Sequence, residues 1–479
     1  MVHNLFFFRF AHIVQEYHKM KYKGYTLRSL EQIPQITELD ESRIHDMRVV
    51  GNVLPFKSNE YVVNELIDWD NIPSDPIFQL TFPQKEMLLD HHFDLMERTL
   101  NSTDDHTEIK LVADKIRREL NPHPAGQKEY NLPKLHDHKL QGMQHKYRET
   151  ILFFPKNGQT CHAYCSFCFR WPQFVHLDDE KFASDEVEIL VRYLQNHDEV
   201  TDVLFTGGDP MVMSPRLLNH YFRPLIEAGI PNLQTIRIGS KSLSYWPQKY
   251  VSEKGYEDVL SLFSDITDSG LNLSFMAHFN HHQELRTDVL KQAVRNIKQT
   301  GVQIRTQSPV LNHINAESSI WAKMWRDQVN IGMIPYYMFV VRDTGAQHYF
   351  NITLEKAWKI FQGAYNKVSG ICRTVRGPSM SATPGKVQIS GITELHGQKM
   401  FVLRFIQGRN PDWVGKPFFA KYNPTAVWLD DLEPVEGHRF FYEKDMNRYL
   451  KSFGEIKLEM INNSAPLTTP DNLNVSLEN

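Results

Sequence analysis

From residue 150 onward the chain alternates short runs of β-branched and aromatic residues with longer stretches whose apolar positions recur every three or four residues. The short runs TILFFP (150–155), DVLFTG (202–207), TIRIG (235–239), LNLSFMAHF (271–279), VQIRTQ (302–307) and YYMFVV (336–341) predict strands. The stretches between them predict helices, among them DEVEILVRYLQNH (185–197), PRLLNHYFRPLIEAG (215–229), QELRTDVLKQAVRNIKQTG (283–301) and LEKAWKIFQGAYNK (354–367). Six β–α alternations predict a parallel sheet with helices outside it, and the fixed handedness of the crossovers rolls such a sheet toward a closed or partial barrel. Before residue 146 the texture differs. KEMLLDHHFDLMERTL (85–100) and EIKLVADKIRREL (108–120) are helix-periodic, and Pro122, Pro124 and Gly126 then break the pattern. After Lys386, VQISGI (387–392) and KMFVLRF (399–405) predict two more strands, and the closing LTTPDNLNVSLEN reads as a loose tail. The expected organisation is a mainly helical region at 1–145, an α/β barrel segment at 146–390 and a smaller extension at 391–479.

Sites in parallel α/β folds collect at the carboxyl ends of the strands. The cysteine-rich loop near 165, FTGGDP (205–210), Gly239-Ser240, HFNHH (278–282), Gln307-Ser308 and Arg342 all follow or end predicted strands, so they converge on one rim.

Composition narrows the choice of function. With 41% hydrophobic and 12% aromatic residues in 479, the chain can bury the cores of two or three domains. A net charge of −4 provides no basic field for nucleic acid. No run of about 20 apolar residues could span a bilayer. The opening MVHNLFFFRFAHIVQ is interrupted by Arg9 and His12 and is followed by no small-residue cleavage site, so it predicts a packing helix rather than a signal peptide. Four cysteines, one of them outside a cluster, argue against a disulfide framework and for the reducing cytoplasm.

That cluster is Cys161-X3-Cys165-X2-Cys168, in QTCHAYCSFCFR. Thiolates hold zinc or iron–sulfur clusters, and a closed site of either kind has four protein ligands. Three thiolates on a [4Fe–4S] cube leave one iron open to a non-protein ligand, which points to catalysis. His162 could instead complete a Cys3His zinc site by folding back beside the first ligand. Tyr164, Phe167 and Phe169 suit a buried cofactor pocket better than a small exposed zinc knuckle. Buried thiols that pack as small hydrophobes are the third reading.

The cysteine spacing is the signature of the S-adenosylmethionine radical enzymes, and within them the chain resembles the lysine 2,3-aminomutase family. The matching segments occur in family order: DPIFQLTFP (75–83), KYRETILFF (146–154), the cysteine loop, FTGGDP, IRIGS (236–240), HFNHHQEL (278–285), QS (307–308), YYMFV (336–340) and SGIC to PGK (369–386). The resemblance implies a partial (β/α)6 radical barrel carrying a [4Fe–4S] cluster, S-adenosyl-L-methionine and pyridoxal 5′-phosphate. It also implies an amino acid substrate, an external electron donor of the flavodoxin or ferredoxin type, and a homo-oligomer. S-Adenosylmethionine would chelate the open iron and be cleaved by one electron to a 5′-deoxyadenosyl radical. The radical removes a β-hydrogen, and the amino group then migrates from Cα to Cβ.

By the same resemblance, Gly207, Gly208 and Asp209 receive the amino group of the methionine moiety, although a Gly-Gly pair also makes a plain turn. His278 and Gln307 are similar to positions that contact the sulfonium cofactor, and both residue types also serve as ordinary hydrogen-bonders. Lys386 takes the place of the lysine that holds pyridoxal phosphate, with Lys146 and Tyr147 near its phosphate or ring. An amine with an ordinary pKa of ~10.4 is a poor nucleophile at neutral pH, so burial or a cationic neighbour must lower it. The family's longer glycine run is absent from Ser381-Ala382-Thr383-Pro384-Gly385-Lys386, yet a gapless count from Ser369-Gly370-Ile371-Cys372 arrives at Lys386. Arg170 matches the arginine that holds the substrate carboxylate, a bidentate task.

The likeness breaks at the distal end of the substrate. Lysine-specific members use two acidic residues there, and the corresponding positions carry Arg342 and Ser379. An arginine repels an ammonium, so a glutamate-like side chain is expected in place of lysine. A one-residue slip would turn Asp343 inward instead. The expected function is a 2,3-aminomutase, an isomerase. The alternatives are a radical enzyme of the same family with another hydrogen-abstraction reaction or a protein-bound substrate, and a zinc-stabilised binding protein.

Overall fold

A computed structural model describes residues 21–121, 131–135, 138–175, 177 and 182–446. The apolar N-terminal stretch, the break at 122–126 and the C-terminal tail lie outside the described residues.

An eleven-stranded sheet organises the chain, and its strands lie side by side in chain order. They are β1 (Met143–Tyr147), β2 (Thr150–Phe153), β3 (Asp202–Phe205), β4 (Thr235–Ser240), β5 (Asn272–His278), β6 (Gln303–Val310), β7 (Ile334–Val340), β8 (Arg376–Ser381), β9 (Gly385–Leu395), β10 (Gln398–Gly408) and β11 (Pro417–Lys421). From β2 to β8 every pairing is parallel, while β1 at one margin and β9–β11 at the other are antiparallel. Between successive parallel strands run α4 (Val187–Gln195), α5 (Pro215–Glu227), α6 (Tyr256–Asp268), α7 (Asp288–Gln299), α8 (Ser318–Asn330) and α9 (Leu354–Tyr365), which completes six β–α units. This is the expected α/β architecture.

The helices form where the sequence places a cap and an apolar stripe. Ser214, Thr287 and Thr353 accept from Leu217, Leu290 and Lys356 amides at the starts of α5, α7 and α9. In α7 the buried residues are Val289, Leu290, Ala293, Val294 and Ile297, one face of a 3.6-residue repeat turned onto the sheet. β8 was hidden in the sequence because RGPSMS reads as a turn. Gly377 and Pro378 fit because the β7–β8 register shifts between Tyr337 and Phe339, a bulge where the missing proline N–H does no harm.

The sheet is curled. Lys146 Nζ, on margin strand β1, donates to Ala382 O in the β8–β9 connection at 2.5 Å, although six strands lie between them in the sheet order. β9 runs straight through position 390, so the extension continues the same sheet, with its own apolar cluster of Val387, Ile389, Phe401, Leu403, Trp413 and Phe418. Among the described residues no helix is long and apolar enough to cross a membrane.

In the N-terminal region α1 (Glu41–Val53), α2 (Asp90–Ser102) and α3 (His106–Glu119) pack together. Its role is visible at the short helix Pro76–Thr81. Asp75 caps that helix by accepting from Ile77 and Phe78 amides at 2.9 and 2.7 Å, and it also accepts from Gln283 Nε2 at 3.1 Å, behind β5. Asp75→Ala removes a fully buried cap and should cost about 1–2 kcal/mol, measured by denaturant unfolding against wild type. A loss below about 0.3 kcal/mol would show that the cap is not needed.

Candidate active site

The cysteine loop leaves the carboxyl end of β2 and is held from two sides. On one, Tyr164 N donates to Lys57 O at 2.8 Å and Ser166 N to Leu80 O at 2.9 Å, so the N-terminal region cradles the loop backbone. Lys57 Nζ donates to Cys161 O at 2.7 Å, which puts a cation beside the first cysteine. On the other side Tyr245 lies against Cys165, with OH and Sγ 3.6 Å apart. Phe167 packs edge-on to Phe350 at 6.3 Å, whereas Phe169 stays 46% exposed and cannot seal the loop from water. Burial pushes the thiols up, Cys165 to about 12, and the Lys57, Lys241 and Arg170 charges nearby offset it only in part.

Four ligands at about 2.3 Å from one zinc lie about 3.8 Å apart. Among the described residues, the three side chains whose ligand atoms all fall within 4.8 Å of one another are His91, His92 and Glu119, on α2 and α3. Cys161, Cys165, Cys168 and His162 do not form such a set. His162 turns inward, buried and neutral, its pKa lowered to about 3 by burial and by Lys249 and Lys57.

Next to the loop lies the GGDP turn. A Cβ on Gly208 would stand 2.4 Å from Thr160 O, so that glycine seats the turn on the cysteine loop, and Gly207 holds a positive φ of 156° that other residues rarely adopt. Asp209 accepts from Met211 and Lys241 amides at 2.9 Å each, and burial raises its carboxyl to about 6. Its side chain thus shapes the turn. Farther along the rim, His278 and Gln307 occupy the paired register position of β5 and β6, their Nε2 atoms 2.7 Å apart. Burial, with Lys241 nearby, drops His278 to about 3, so its ring is neutral. Sequence reasoning missed Lys241, one residue beyond the IRIGS match, which pairs with the buried Glu284 at 2.5 Å beneath this corner.

Opposite the cysteines the rim is cationic. Lys386 is the second residue of β9, paired with Ser381 and Gln407, and its Nζ lies 4.1 Å from the Tyr337 ring centre and 5.5 Å from that of Phe339. Burial, then the Arg237 and Arg376 charges, lower its pKa to about 7. Lys146 is likewise pushed well down, by burial first and then by Arg409, Arg342 and Lys386. Arg342 lies over the Phe169 ring at 5.2 Å, and its charge is felt at Lys146, Tyr147 and Arg170. Arg170 stacks on Phe154 at 4.2 Å, and its buried Nε has no hydrogen-bond partner. Ser379 is fully buried and donates to Met338 O at 3.3 Å, so its hydroxyl is committed to the sheet. Arg409, which sequence reasoning also missed, enters this corner from just beyond β10. Nothing in Gly408-Arg409-Asn410-Pro411 distinguishes it from a surface turn.

No family model matches the chain. A protein of Aquifex aeolicus (strain VF5) that carries the provisional name L-lysine 2,3-aminomutase is 30% identical over 408 residues, 85% of this chain and 96% of its own length. The chain belongs to the lysine 2,3-aminomutase family. L-Lysine 2,3-aminomutases of Acetoanaerobium sticklandii and Bacillus subtilis (strain 168) are 28% and 24% identical, over 49% and 72% of this chain and 53% and 63% of their own lengths.

Membership in the lysine 2,3-aminomutase family makes the chain an enzyme of the aminomutase class and sets aside the zinc-stabilised binding protein. The family implies an iron–sulfur cluster, S-adenosylmethionine and pyridoxal phosphate, and the residues fit all three. The fit rests on three half-buried thiols on one loop, a neutral His278–Gln307 corner, and a lysine of lowered pKa in a cationic field. In protein free of pyridoxal phosphate, only the neutral form of Lys386 can attack an aldehyde, and a lowered pKa extends that form to lower pH. Borohydride-trapped pyridoxal phosphate on Lys386, read by peptide mass spectrometry, should therefore rise with pH about a midpoint near 7 and level off above it. A midpoint near the ordinary ~10.4 would contradict this environment.

Proposed function

We propose that the chain is a radical S-adenosylmethionine, pyridoxal phosphate-dependent 2,3-aminomutase. Its substrate is an amino acid with an anionic or strongly hydrogen-bonding side-chain end, glutamate-like, and not free lysine. The observation that carries the substrate reading is the position of Arg342, half-buried within the field of Lys146 and Arg170, with Asp343 the acid that acts on it. A lysine ammonium would be desolvated among like charges there, whereas a carboxylate would be paired.

When bound, the cluster with S-adenosylmethionine supplies a carbon radical, and pyridoxal phosphate supplies the conjugated ring through which an amino group can shift between neighbouring carbons. Cys161, Cys165 and Cys168 would hold the cluster, with Gly207, Gly208, His278 and Gln307 around the sulfonium cofactor. Lys386, Lys146 and Tyr147 would hold pyridoxal phosphate. Lys386 Nζ, half neutral near pH 7, can serve as nucleophile and can take up or release a proton without leaving the physiological range. The Arg170 fork, with its unpartnered Nε, would grip the α-carboxylate and fix the distance of Cβ from the radical. Phe167 against Phe350 keeps water from the cluster side. The reading includes a one-electron donor of the flavodoxin or ferredoxin type, a reducing cytoplasm and a homo-oligomeric assembly.

With reconstituted enzyme, kcat/KM for glutamate should exceed that for lysine by about 10²-fold or more, and Arg342→Asp should lower glutamate turnover by a comparable factor. A wild-type preference for lysine would overturn the role given to Arg342.

A further inference from the structure

Lys57 opens a short strand, Lys57–Asn59, which pairs with Gly24–Thr26 in the N-terminal region and lies against the cysteine loop. Its main-chain oxygen accepts from Tyr164 N at 2.8 Å, and Asn59 Nδ2 donates to His162 O at 3.2 Å. The strand therefore fixes where the Lys57 ammonium stands. Lys57 Nζ donates to Cys161 O at 2.7 Å and to Thr160 Oγ1 at 3.4 Å, and it lies 5.8 and 5.9 Å from the Tyr22 and Tyr164 ring centres. Both acceptors are neutral, and the charge that acts on this half-buried amine is that of Cys161. The cations near the other two thiols are engaged elsewhere. Lys241, whose field reaches Cys165, pairs with Glu284 at 2.5 Å, and Arg170, beside Cys168, is given to the substrate carboxylate. Asp209 acts on Cys161 in the opposite sense to Lys57. Three thiolates on an oxidised cube carry a net negative charge, and one electron adds to it. A fixed cation at the first cysteine therefore favours the reduced state over the oxidised one.

We propose that Lys57 tunes the reduction potential of the cluster: its ammonium, held at the first cysteine by the N-terminal region, stabilises the reduced cube and so eases the one-electron step that S-adenosylmethionine cleavage requires. The inference rests on the cofactor reading above. The electron passes from the external donor of flavodoxin or ferredoxin type to the cube, and Lys57 neither gains nor loses a proton. On this view the N-terminal region sets the electrostatics of the cluster as well as the path of its loop.

The test is a potentiometric titration of full-length, anaerobically reconstituted protein without S-adenosylmethionine, read from the paramagnetic signal of the reduced cube and so independent of turnover. At a fixed potential, Lys57→Met and Lys57→Gln should each lower the ratio of reduced to oxidised cluster about tenfold, a midpoint about 59 mV more negative. Lys57→Arg should return most of the shift, and iron per chain should match wild type throughout. The glutamine variant can keep a donor to Cys161 O, so it separates the charge from the hydrogen bond. An unchanged midpoint in either neutral variant at full iron overturns the tuning role and leaves the cofactor reading standing. Loss of iron from both neutral variants makes Lys57 an assembly residue and overturns the tuning role as well. A wild type with no reducible cluster overturns the cofactor reading, and the tuning role with it.

Discussion

Cys165→Ala is expected to reduce bound iron from about four per chain to near none and to abolish 5′-deoxyadenosine formation. Removing one of three thiols leaves two anchors for a cube, and burial that pushes Cys161 and Cys168 up makes the remaining thiolates costly without the metal charge. The fold should survive, because Cys165 lies at the rim and the loop backbone is held independently by Lys57 and Leu80 carbonyls. Iron analysis with circular dichroism of anaerobically purified protein checks both halves. Full iron content in the variant would remove Cys165 from the ligand set.

Lys386→Ala should eliminate the lysine-bound pyridoxal phosphate absorbance and lower turnover by more than about 10²-fold, since one side chain provides both attachment and proton exchange. The cluster should remain, because Cys161–Cys168 follow β2 while Lys386 lies in β9. Uncoupled cleavage of S-adenosylmethionine may be compared directly between variant and wild type to show this. A variant that retains wild-type absorbance and turnover would mean that another amine does the work, with Lys146 as the nearest candidate in charge environment.

Much of this was readable from the chain because two strong patterns agree. Strand runs and amphipathic helices alternate six times, and the chemistry-bearing residues fall just after the strands. A gapless count through Ser369–Cys372 arrives at Lys386 without the family's glycine run, and glycine is demanded at Gly385. A Cβ there would stand 2.4 Å from Gln407 O, so the close approach of β9 to β10 requires glycine at that one position. Other features could not be read. β8 looks like a turn, and its strand character comes from β7 and β9 on either side. Lys57 and Arg409 lie far in sequence from the motifs they join, and only the curl of the sheet and the packing of the N-terminal region bring them in. Phe169 was expected to exclude water, but it is exposed and carries the Arg342 guanidinium on its face. Asp209 was grouped with the cofactor ligands, while its carboxylate is spent on Met211 and Lys241 amides.

The open corner of the cluster is tested most directly by electron–nuclear double resonance on reduced, air-free protein supplied with S-adenosylmethionine carrying 15N in its amino group and 17O in its carboxylate. The account predicts coupling of both labels to one iron in wild type, with no fourth protein ligand. A reduced cluster whose spectrum is indifferent to either label, with every iron held by side chains, would contradict it.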